Sequence, residues 1–275
     1  MPPMFQVHRI ESLDLPELEP YRTLKRPLDH VARGIFVAES VKVVQRLLES
    51  DFGVVSVILP EKWLSAFAPL LEARPENIPV YVVAHKRVLE ELVGFSMFQG
   101  VMAVGKIPAP VTLEDVLARS GRPRLLVAAE QLANAENIGG LVRNAAAFGA
   151  HALIAGETCA SPFLRRAVRN SMGTVFRLPI VEPPSLLGAL WQLRDAGVRC
   201  VAAHPHASGR TLAQADFTGD VCLVFGSEGE GLSARVLAAC DEAVAIPMAA
   251  GVDSLNVVNA AAVFLYEVNR QRGRG

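Results

Sequence analysis

Three segments in the second half of the chain repeat one plan, in which a short apolar strand leads through a loop of small residues into the start of a helix. The segments are Leu125–Ala150, Val221–Ser233 and Val244–Arg270. Glycine and alanine let a backbone turn tightly and approach a ligand closely. Open α/β sheets bind ligands at the edge where their parallel strands end. The repeated plan therefore predicts that three loops converge on one binding site.

The last of the three segments gives the most detail. Pro247 blocks further strand pairing, and Asp253 and Ser254 are both good helix N-caps. We expect the final helix to run from about Leu255 to Arg270, with Ser254 and Asn256 at its N-terminal end.

Strands and helices alternate along the whole chain, which is typical of α/β layers. From Arg124 onward the alternation predicts a parallel sheet that is buried on both faces, with one of its strands over Val175–Val181. Residues 1–106 predict a small α/β unit, 107–123 a linker that contains Pro108 and Pro110, and 124–275 a second domain.

Composition narrows the class of protein. Apolar residues make up 51% of the chain, yet no run approaches the 18 needed to span a bilayer, and the N-terminus lacks a signal pattern. We therefore expect a cytoplasmic protein that does not enter a membrane. The four cysteines are widely spaced, and we interpret them as small buried hydrophobes.

A net charge of −1 gives no global signal for nucleic acid, but the charge is unevenly distributed. Thr158–Val181 contains no acid, and its arginines include Arg165, Arg166 and Arg169. We predict that these three bind RNA, because phosphate contacts supply most of the affinity for nucleic acid. A solvated helix face is the alternative interpretation.

The second loop, Gly226–Gly231, argues against cofactors that carry phosphate groups. It reads G-x-x-G-x-G, the reverse of the dinucleotide spacing, and its Glu228 and Glu230 would repel a pyrophosphate. S-adenosylmethionine fits better, because it carries a sulfonium cation and no phosphate. Cys200, His204 and His206 form only a fragment of a zinc site, so we expect no metal. The chain also has no G-x-S-x-G hydrolase elbow.

With the three loops in view, the chain resembles the SpoU/TrmH family of SPOUT RNA 2′-O-ribose methyltransferases. The resemblance extends from Arg124 to Arg270 and departs only mildly from the family pattern, at Asn134-Ala135 and Asn144. The residues that carry the three family motifs are Asn137, Gly139 and Arg143, then Gly226, Glu228, Gly229 and Gly231, and finally Ile246–Met248 with Ser254–Asn256.

The resemblance implies an α/β fold, with a SPOUT-type parallel-sheet domain that ends in a C-terminal trefoil knot. It also implies a preceding small α/β, ribosomal-protein-like RNA-binding domain, to which FVAESVKVV and the FQG of Phe98–Gly100 are similar. The implied activity is S-adenosylmethionine-dependent methylation of a ribose 2′-hydroxyl in rRNA or tRNA, with rRNA favoured. A catalytically silent RNA-binding assembly protein with the same fold is the alternative.

The same resemblance implies roles for individual residues. Arg143 would act either as a base or as a charged anchor for the phosphate beside the target ribose, and we prefer the anchor because neutral arginine is costly. The implied catalytic residues are Arg143, Asn137, Glu228, Ser254 and Asn256. The implied cofactor-binding residues are Phe225, Gly226, Gly229, Gly231, Ile246, Met248 and Leu255.

The final helix is apolar over most of its circumference, so it must be covered on more than one side. The resemblance implies that this helix forms a homodimer interface beside the active site, and a wholly internal helix is the alternative. A charged residue at Phe264 would then split the dimer, or unfold the chain if the helix is internal.

Overall fold

A computed structural model describes residues 5–96, 99–206 and 210–274, and within it the chain forms two compact units. Unit 1 comprises Met1–Ala109 together with Phe163–Arg177, and unit 2 comprises Pro110–Pro162 and Leu178–Gly275. The segment Phe163–Arg177, which the sequence assigned to the second domain, therefore packs in unit 1. Phe98 of the FQG sequence lies outside the described residues.

Strands alternate with helices along the described part of the chain. The strands are β1 (Phe5–Arg9), β2 (Ile35–Glu39), β3 (Val54–Pro60), β4 (Ile78–Val83), β5 (Met102–Lys106), β6 (Leu125–Ala129), β7 (Ala152–Ala155), β8 (Ile180–Val181), β9 (Arg199–Ala203), β10 (Arg210–Thr211), β11 (Val221–Phe225) and β12 (Glu242–Ala245). The helices are α1 (Glu19–Arg22), α2 (Pro27–Ala32), α3 (Val41–Leu48), α4 (Leu64–Glu72), α5 (Lys86–Val93), α6 (Leu113–Arg119), α7 (Ala135–Ala147), α8 (Arg165–Asn170), α9 (Leu186–Asp195), α10 (Ala234–Ala239) and α11 (Val257–Gln271).

Unit 1 is built on a mixed sheet in the order β1-β4-β3-β5-β2, in which β5 runs antiparallel to both of its neighbours. Leu18, Tyr21 and Leu89 belong to one apolar cluster on this sheet. A second, aromatic cluster forms around Phe36, whose ring centroid lies 6.0 Å from that of Phe163 and 5.5 Å from that of Phe176. The returning segment Phe163–Arg177 thus completes the core of unit 1.

The returning segment also explains a wrong prediction. A strand was expected over Val175–Val181, but Thr174–Phe176 forms a 3-10 turn and only Ile180–Val181 pairs as a strand. Gly173 adopts a φ of +78° just before the turn, a conformation that suits glycine. Val175 and Phe176 are both buried in the core of unit 1. A short apolar run indicates burial, but it does not distinguish a strand from a turn.

Unit 2 contains a sheet in the order β10-β12-β9-β11-β6-β7-β8, and every pairing between its described strands is parallel. The central strands β6 and β11 are buried along their whole length. The prediction of an α/β fold with a parallel sheet is therefore confirmed.

The predicted linker 107–123 is not extended throughout, because α6 lies within it. Thr112 and Asp115 form a capping box at its start, with the Asp115 N–H donating to the Thr112 hydroxyl over 3.1 Å. Leu113 and Val116 are buried in the core of unit 2. Their three-residue spacing was a helical signal that the two prolines of the linker obscured.

The cysteines of unit 2 are free thiols. Cys200 and Cys222 are buried neighbours on β9 and β11, and burial raises the pKa of the Cys240 thiol to about 12.

The Arg272 guanidinium donates to the carbonyl oxygens of four residues, which ties the end of α11 to the amino ends of β6 and β11. These residues are Pro123, Arg124, Phe217 and Gly219. Among the described residues, none of the helices could cross a bilayer.

Candidate active site

The candidate site lies at the carboxyl edge of the unit 2 sheet. β12, β9, β11 and β6 are consecutive neighbours there, and because they are parallel their following loops emerge on the same side. The three loops identified in the sequence follow β6, β11 and β12, as the repeated plan requires. The loop after β9 joins them.

The loop after β11 folds back on itself at its base. Ser227 and Gly231 exchange two backbone hydrogen bonds, of 3.1 and 3.0 Å. A Cβ at Gly226 would overlap the backbone of Gly231 and Leu232, so only glycine fits at this position. Gly231 has a φ of +71°, which also favours glycine. Two motif glycines are therefore required by the shape of the loop.

A buried carboxylate holds the far end of this loop. Glu130, directly after β6, accepts a hydrogen bond of 2.7 Å from the backbone N–H of Ser233. The Ser233 hydroxyl in turn accepts from the Val236 N–H and caps α10. Glu130 thus connects the first strand of the site to the end of the second loop. No local sequence pattern indicates this role, because the contact spans 103 residues.

Asn256 joins all three motifs. Its side-chain nitrogen donates to Oδ1 of Asn137, 3.3 Å away, and to Oε1 of Glu228, while its side-chain oxygen accepts from the Val258 N–H over 2.9 Å. This last bond makes Asn256 the N-cap of α11, so the predicted caps Asp253 and Ser254 instead belong to the preceding loop. The helix begins at Val257, so the predicted start at Leu255 is two residues too early for the same reason.

A cavity of about 400 Å³ opens beside this junction. All of the residues that the resemblance implied for cofactor binding line it, namely Phe225, Gly226, Gly229, Gly231, Ile246, Met248 and Leu255. Of the implied catalytic residues, Glu228 and Ser254 line the cavity. Asn137 and Asn256 are not part of its lining, but Asn256 donates a hydrogen bond to Glu228 and another to Asn137.

The lining carries acidic charge. Its titratable side chains are Glu228, Glu230, Asp253, His204 and His206, and the described lining includes no lysine or arginine. The His204 ring accepts a hydrogen bond from the His206 N–H through Nδ1, at 3.1 Å. Sequence reasoning missed both histidines as cavity residues. Their position after a strand that ends at the same edge was the available signal.

Arg143 stands apart from the cavity. It is exposed on α7, does not line the cavity, and forms no hydrogen bond or ion pair with any residue that the structure describes. The neighbouring face of α7 packs on α11, where the Asn144 amide donates to the Val258 carbonyl over 2.7 Å. Asn144, a departure from the family pattern, therefore fastens two helices of the site together.

The three arginines predicted to bind RNA lie on α8, which packs against β2 in unit 1. Arg165 and Arg169 both form ion pairs with the buried Glu39, and the Arg165 guanidinium also lies 5.2 Å from the centre of the Phe95 ring. Arg166 is exposed. The three side chains therefore have different surroundings although they are close in sequence.

Comparison with known proteins adds independent information. The model of the SpoU rRNA Methylase family matches residues 124–266. An uncharacterized tRNA/rRNA methyltransferase of Mycobacterium tuberculosis is 34% identical over 265 residues, which cover 94% of this chain and 90% of the relative.

Solved structures give the same result for the fold. The SpoU methyltransferase AviRb from Streptomyces viridochromogenes, in complex with AdoMet, superposes with a TM-score of 0.80 at 28% identity and covers 95% of this chain and 100% of its own. An RNA 2′-O ribose methyltransferase superposes with a TM-score of 0.79 at 28% identity, over 96% and 99% of the two chains. Both likenesses span nearly the whole chain, so they include most of unit 1.

Proposed function

Since the chain belongs to the SpoU rRNA methylase family and is thereby an S-adenosylmethionine-dependent RNA methyltransferase, we propose that its methyl acceptor is a ribose 2′-hydroxyl. The single observation that carries this proposal is the Asn256 side chain, which links Asn137, Glu228 and the start of α11 beside the cavity. Polar groups from three loops are thereby held at the mouth of one pocket, where they can orient a hydroxyl group.

The cavity suits the cofactor in size and charge. A volume of about 400 Å³ lies in the usual range of about 300–1,000 Å³ for ligand pockets. S-adenosylmethionine supplies an electrophilic methyl group on a sulfonium cation. Glu228, Glu230 and Asp253 favour a cation, while Ile246 and Met248 offer apolar surface to the adenine. A pyrophosphate cofactor would meet the same three carboxylates and be repelled.

For the RNA side of the reaction we propose that Ser254 and Asn256 orient the 2′-hydroxyl and that Asn137 holds the strand. Arg143 remains charged and grips the phosphate beside the target ribose, where it also stabilises the developing alkoxide. Its exposure, and the absence of a hydrogen-bond or ion-pair partner among the described residues, support an anchor for an external anion. Removing one such electrostatic donor typically costs roughly 10²- to 10³-fold in rate.

We further propose rRNA as the preferred substrate, unit 1 as the RNA-docking domain, and the cytoplasm as the place of action. The similarity of residues 36–44 to ribosomal-protein-like domains supports the first two proposals. We also propose the trefoil knot of the family, in which the chain after β12 passes through an earlier loop. Single-molecule stretching of the full chain tests the knot, because a tightened knot shortens the extended length.

A homodimer through α11 completes the proposal, so that RNA held by one protomer reaches the partner's cofactor. Val263 and Tyr266 support it, because these large apolar side chains of α11 are 40% and 56% exposed. Phe264 is instead buried against Phe225, with ring centroids 5.7 Å apart, so a charge there would unfold the chain. Tyr266→Glu is the appropriate probe. Light scattering should give twice the 29.5 kDa chain mass for the wild type and a monomer for the variant.

The reaction is tested by incubating the protein with methyl-labelled S-adenosylmethionine and undermodified rRNA or tRNA, followed by complete alkaline hydrolysis. A 2′-O-methyl group prevents that oxygen from attacking the adjacent phosphate, so the label should remain in alkali-resistant dinucleotides. Label recovered in mononucleotides would indicate a methylated base and contradict the proposal. Cofactor binding without transfer to any RNA would favour the silent RNA-binding alternative.

A further inference from the structure

The returning segment Phe163–Arg177 runs alongside α3 within unit 1. Arg169 reaches Glu39, two residues before α3, at 3.2 Å, and Arg177 reaches Glu49, directly after α3, at 3.9 Å. Between these points the Arg46 guanidinium donates to the Met172 carbonyl. Two segments more than 100 residues apart in sequence are therefore aligned along their length.

This alignment gathers basic side chains from both segments, and some of them are occupied. Glu39 and Arg165 have side-chain exposures of only 7% and 15%, and Arg165 also covers Phe95. Removing Arg165 from this pair to bind a ligand would leave a buried carboxylate with less compensation, which is costly. Arg46 is half-buried and bonded to a carbonyl. Both arginines therefore hold the two segments together.

Other cations on the same surface are available. Lys42 and Arg166 are exposed and have no hydrogen-bond or ion-pair partner among the described residues. The side chains of Arg169 and Arg177 are 56% and 71% exposed, and the exposed ion pair between Arg177 and Glu49 contributes little energy. We call these four residues the basic seam. The exposed acids beside it, Glu49 and Asp51, lie together at one end.

We propose that the basic seam is the surface through which unit 1 holds the phosphate backbone of RNA, an inference that rests on the proposed function. The seven-residue rise from Lys42 to Glu49 is about 10 Å at 1.5 Å per residue. One strand of a nucleic-acid duplex carries roughly three phosphates over such a length. The role of the seam is to position the backbone, because contacts from lysine and arginine to phosphate fix the register and orientation of a nucleic acid.

The seam also divides the three arginines predicted from the sequence. Arg166 and Arg169 contact phosphate, whereas Arg165 is a structural residue. Arg177, which lies in the same acid-free segment of the sequence, and Lys42 join the RNA-binding set. Only the packing of Phe163–Arg177 against α3 brings these side chains together.

A matched pair of double variants tests the seam. Lys42→Gln/Arg166→Gln removes the two unpartnered cations, and Lys62→Gln/Arg87→Gln removes one lysine and one arginine exposed elsewhere in unit 1. Binding of a fluorescein-labelled rRNA hairpin is measured by anisotropy over a range of salt concentrations. The seam variant should lose about 1.4–1.8 units of salt slope, equivalent to roughly 25- to 60-fold in affinity at 0.1 M salt.

The control variant should retain the wild-type slope, and both variants should bind S-adenosylmethionine like the wild type in calorimetry. Arg165→Gln should lower the melting temperature and leave the slope unchanged. Equal RNA affinity in the seam and control variants would overturn the inference while leaving the proposed methylation intact. A wild-type protein that binds no RNA would overturn both.

Discussion

At the scale of single residues, the side-chain amide of Asn256 has two roles, one through its oxygen and one through its nitrogen. The oxygen caps α11 through the Val258 N–H, and the nitrogen bonds to Asn137 and Glu228. An aspartate would keep the capping oxygen but would bring a second carboxylate to Glu228. The two tasks can therefore be separated by substitution.

Asn256→Asp should leave the melting temperature almost unchanged and lower methyl transfer roughly 100-fold, because repulsion displaces the groups that orient the hydroxyl. Asn256→Ala should in addition cost about 1 kcal/mol of stability through loss of the cap. Thermal unfolding and single-turnover methylation measure the two effects. An active Asn256→Asp variant would show that the contact to Glu228 is not needed.

Arg143→Ala should reduce methyl transfer by roughly 10²- to 10³-fold while leaving the dissociation constant for S-adenosylmethionine unchanged, since Arg143 does not line the cavity. Lysine should rescue poorly, because it lacks the planar fork that grips a phosphate. Calorimetry with the cofactor and single-turnover kinetics separate binding from reaction. Equal loss of both would contradict the role as an RNA anchor.

Glu130 and Glu157 offer a natural comparison. Each follows a strand of the same sheet and accepts a 2.7 Å hydrogen bond from a backbone N–H at the start of a helix, Glu130 from Ser233 and Glu157 from Leu186. Both alanine variants should cost about 1–3 kcal/mol in unfolding experiments. Only Glu130→Ala should also weaken cofactor binding, by about 10-fold, because Ser233 ends the cavity loop; Glu130→Gln should restore it. A similar loss of cofactor affinity in Glu157→Ala would show that the effect comes from general destabilisation and not from the cavity loop.

The sequence predicted the members of the site better than their connections. The seven residues that were expected to bind the cofactor all line the cavity, because the glycine loops and the apolar residues after β12 are contiguous patterns. Glu130 and the capping role of Asn256 depend on contacts between distant loops, which local patterns do not encode. The histidines after β9 were visible in the sequence but were interpreted only as a metal fragment.

At the scale of elements, α7 and α11 pack closely where Gly140 faces Val258. A Cβ on Gly140 would lie 2.7 and 2.9 Å from the two methyl groups of Val258, which is a stiff, β-branched side chain. The sequence predicted both helices, yet it gave no indication of how closely they approach. The predictions of a strand over Val175–Val181 and of a linker over 107–123 differ from the structure for a related reason. Apolar residues and prolines were assigned to elements from the local sequence alone, which does not show what packs against them.

Gly140→Ala should destabilise the protein by about 1–3 kcal/mol through overpacking, even though alanine is a better helix former than glycine by about 1 kcal/mol. Adding Val258→Ala should recover part of the loss, since it removes the methyl groups in question. Denaturant unfolding of the two single variants and the double variant measures this coupling. Strictly additive effects would mean that the contact is not as close as described.

At the scale of the whole molecule, Arg272 closes unit 2 by binding carbonyl groups from two segments. Arg272→Gln should lower the free energy of unfolding by about 1.5–3 kcal/mol, because hydrogen bonds from a charged donor are lost. The cofactor dissociation constant should not change, since the cavity lies at the opposite edge of the sheet. Urea unfolding and calorimetry measure both quantities. A cofactor affinity that falls in parallel with stability would show that the two edges are coupled.

The discontinuity of unit 1 restricts how this protein can have been assembled in evolution. Phe163 and Phe176 fill its aromatic cluster, and Arg165 neutralises its buried Glu39. A recombination event that transferred only residues 1–109 would deliver a domain with an open core and an unpaired carboxylate. Exchange of this domain among methyltransferases therefore requires a recipient that already carries a matching insert, so the two regions are expected to be inherited together.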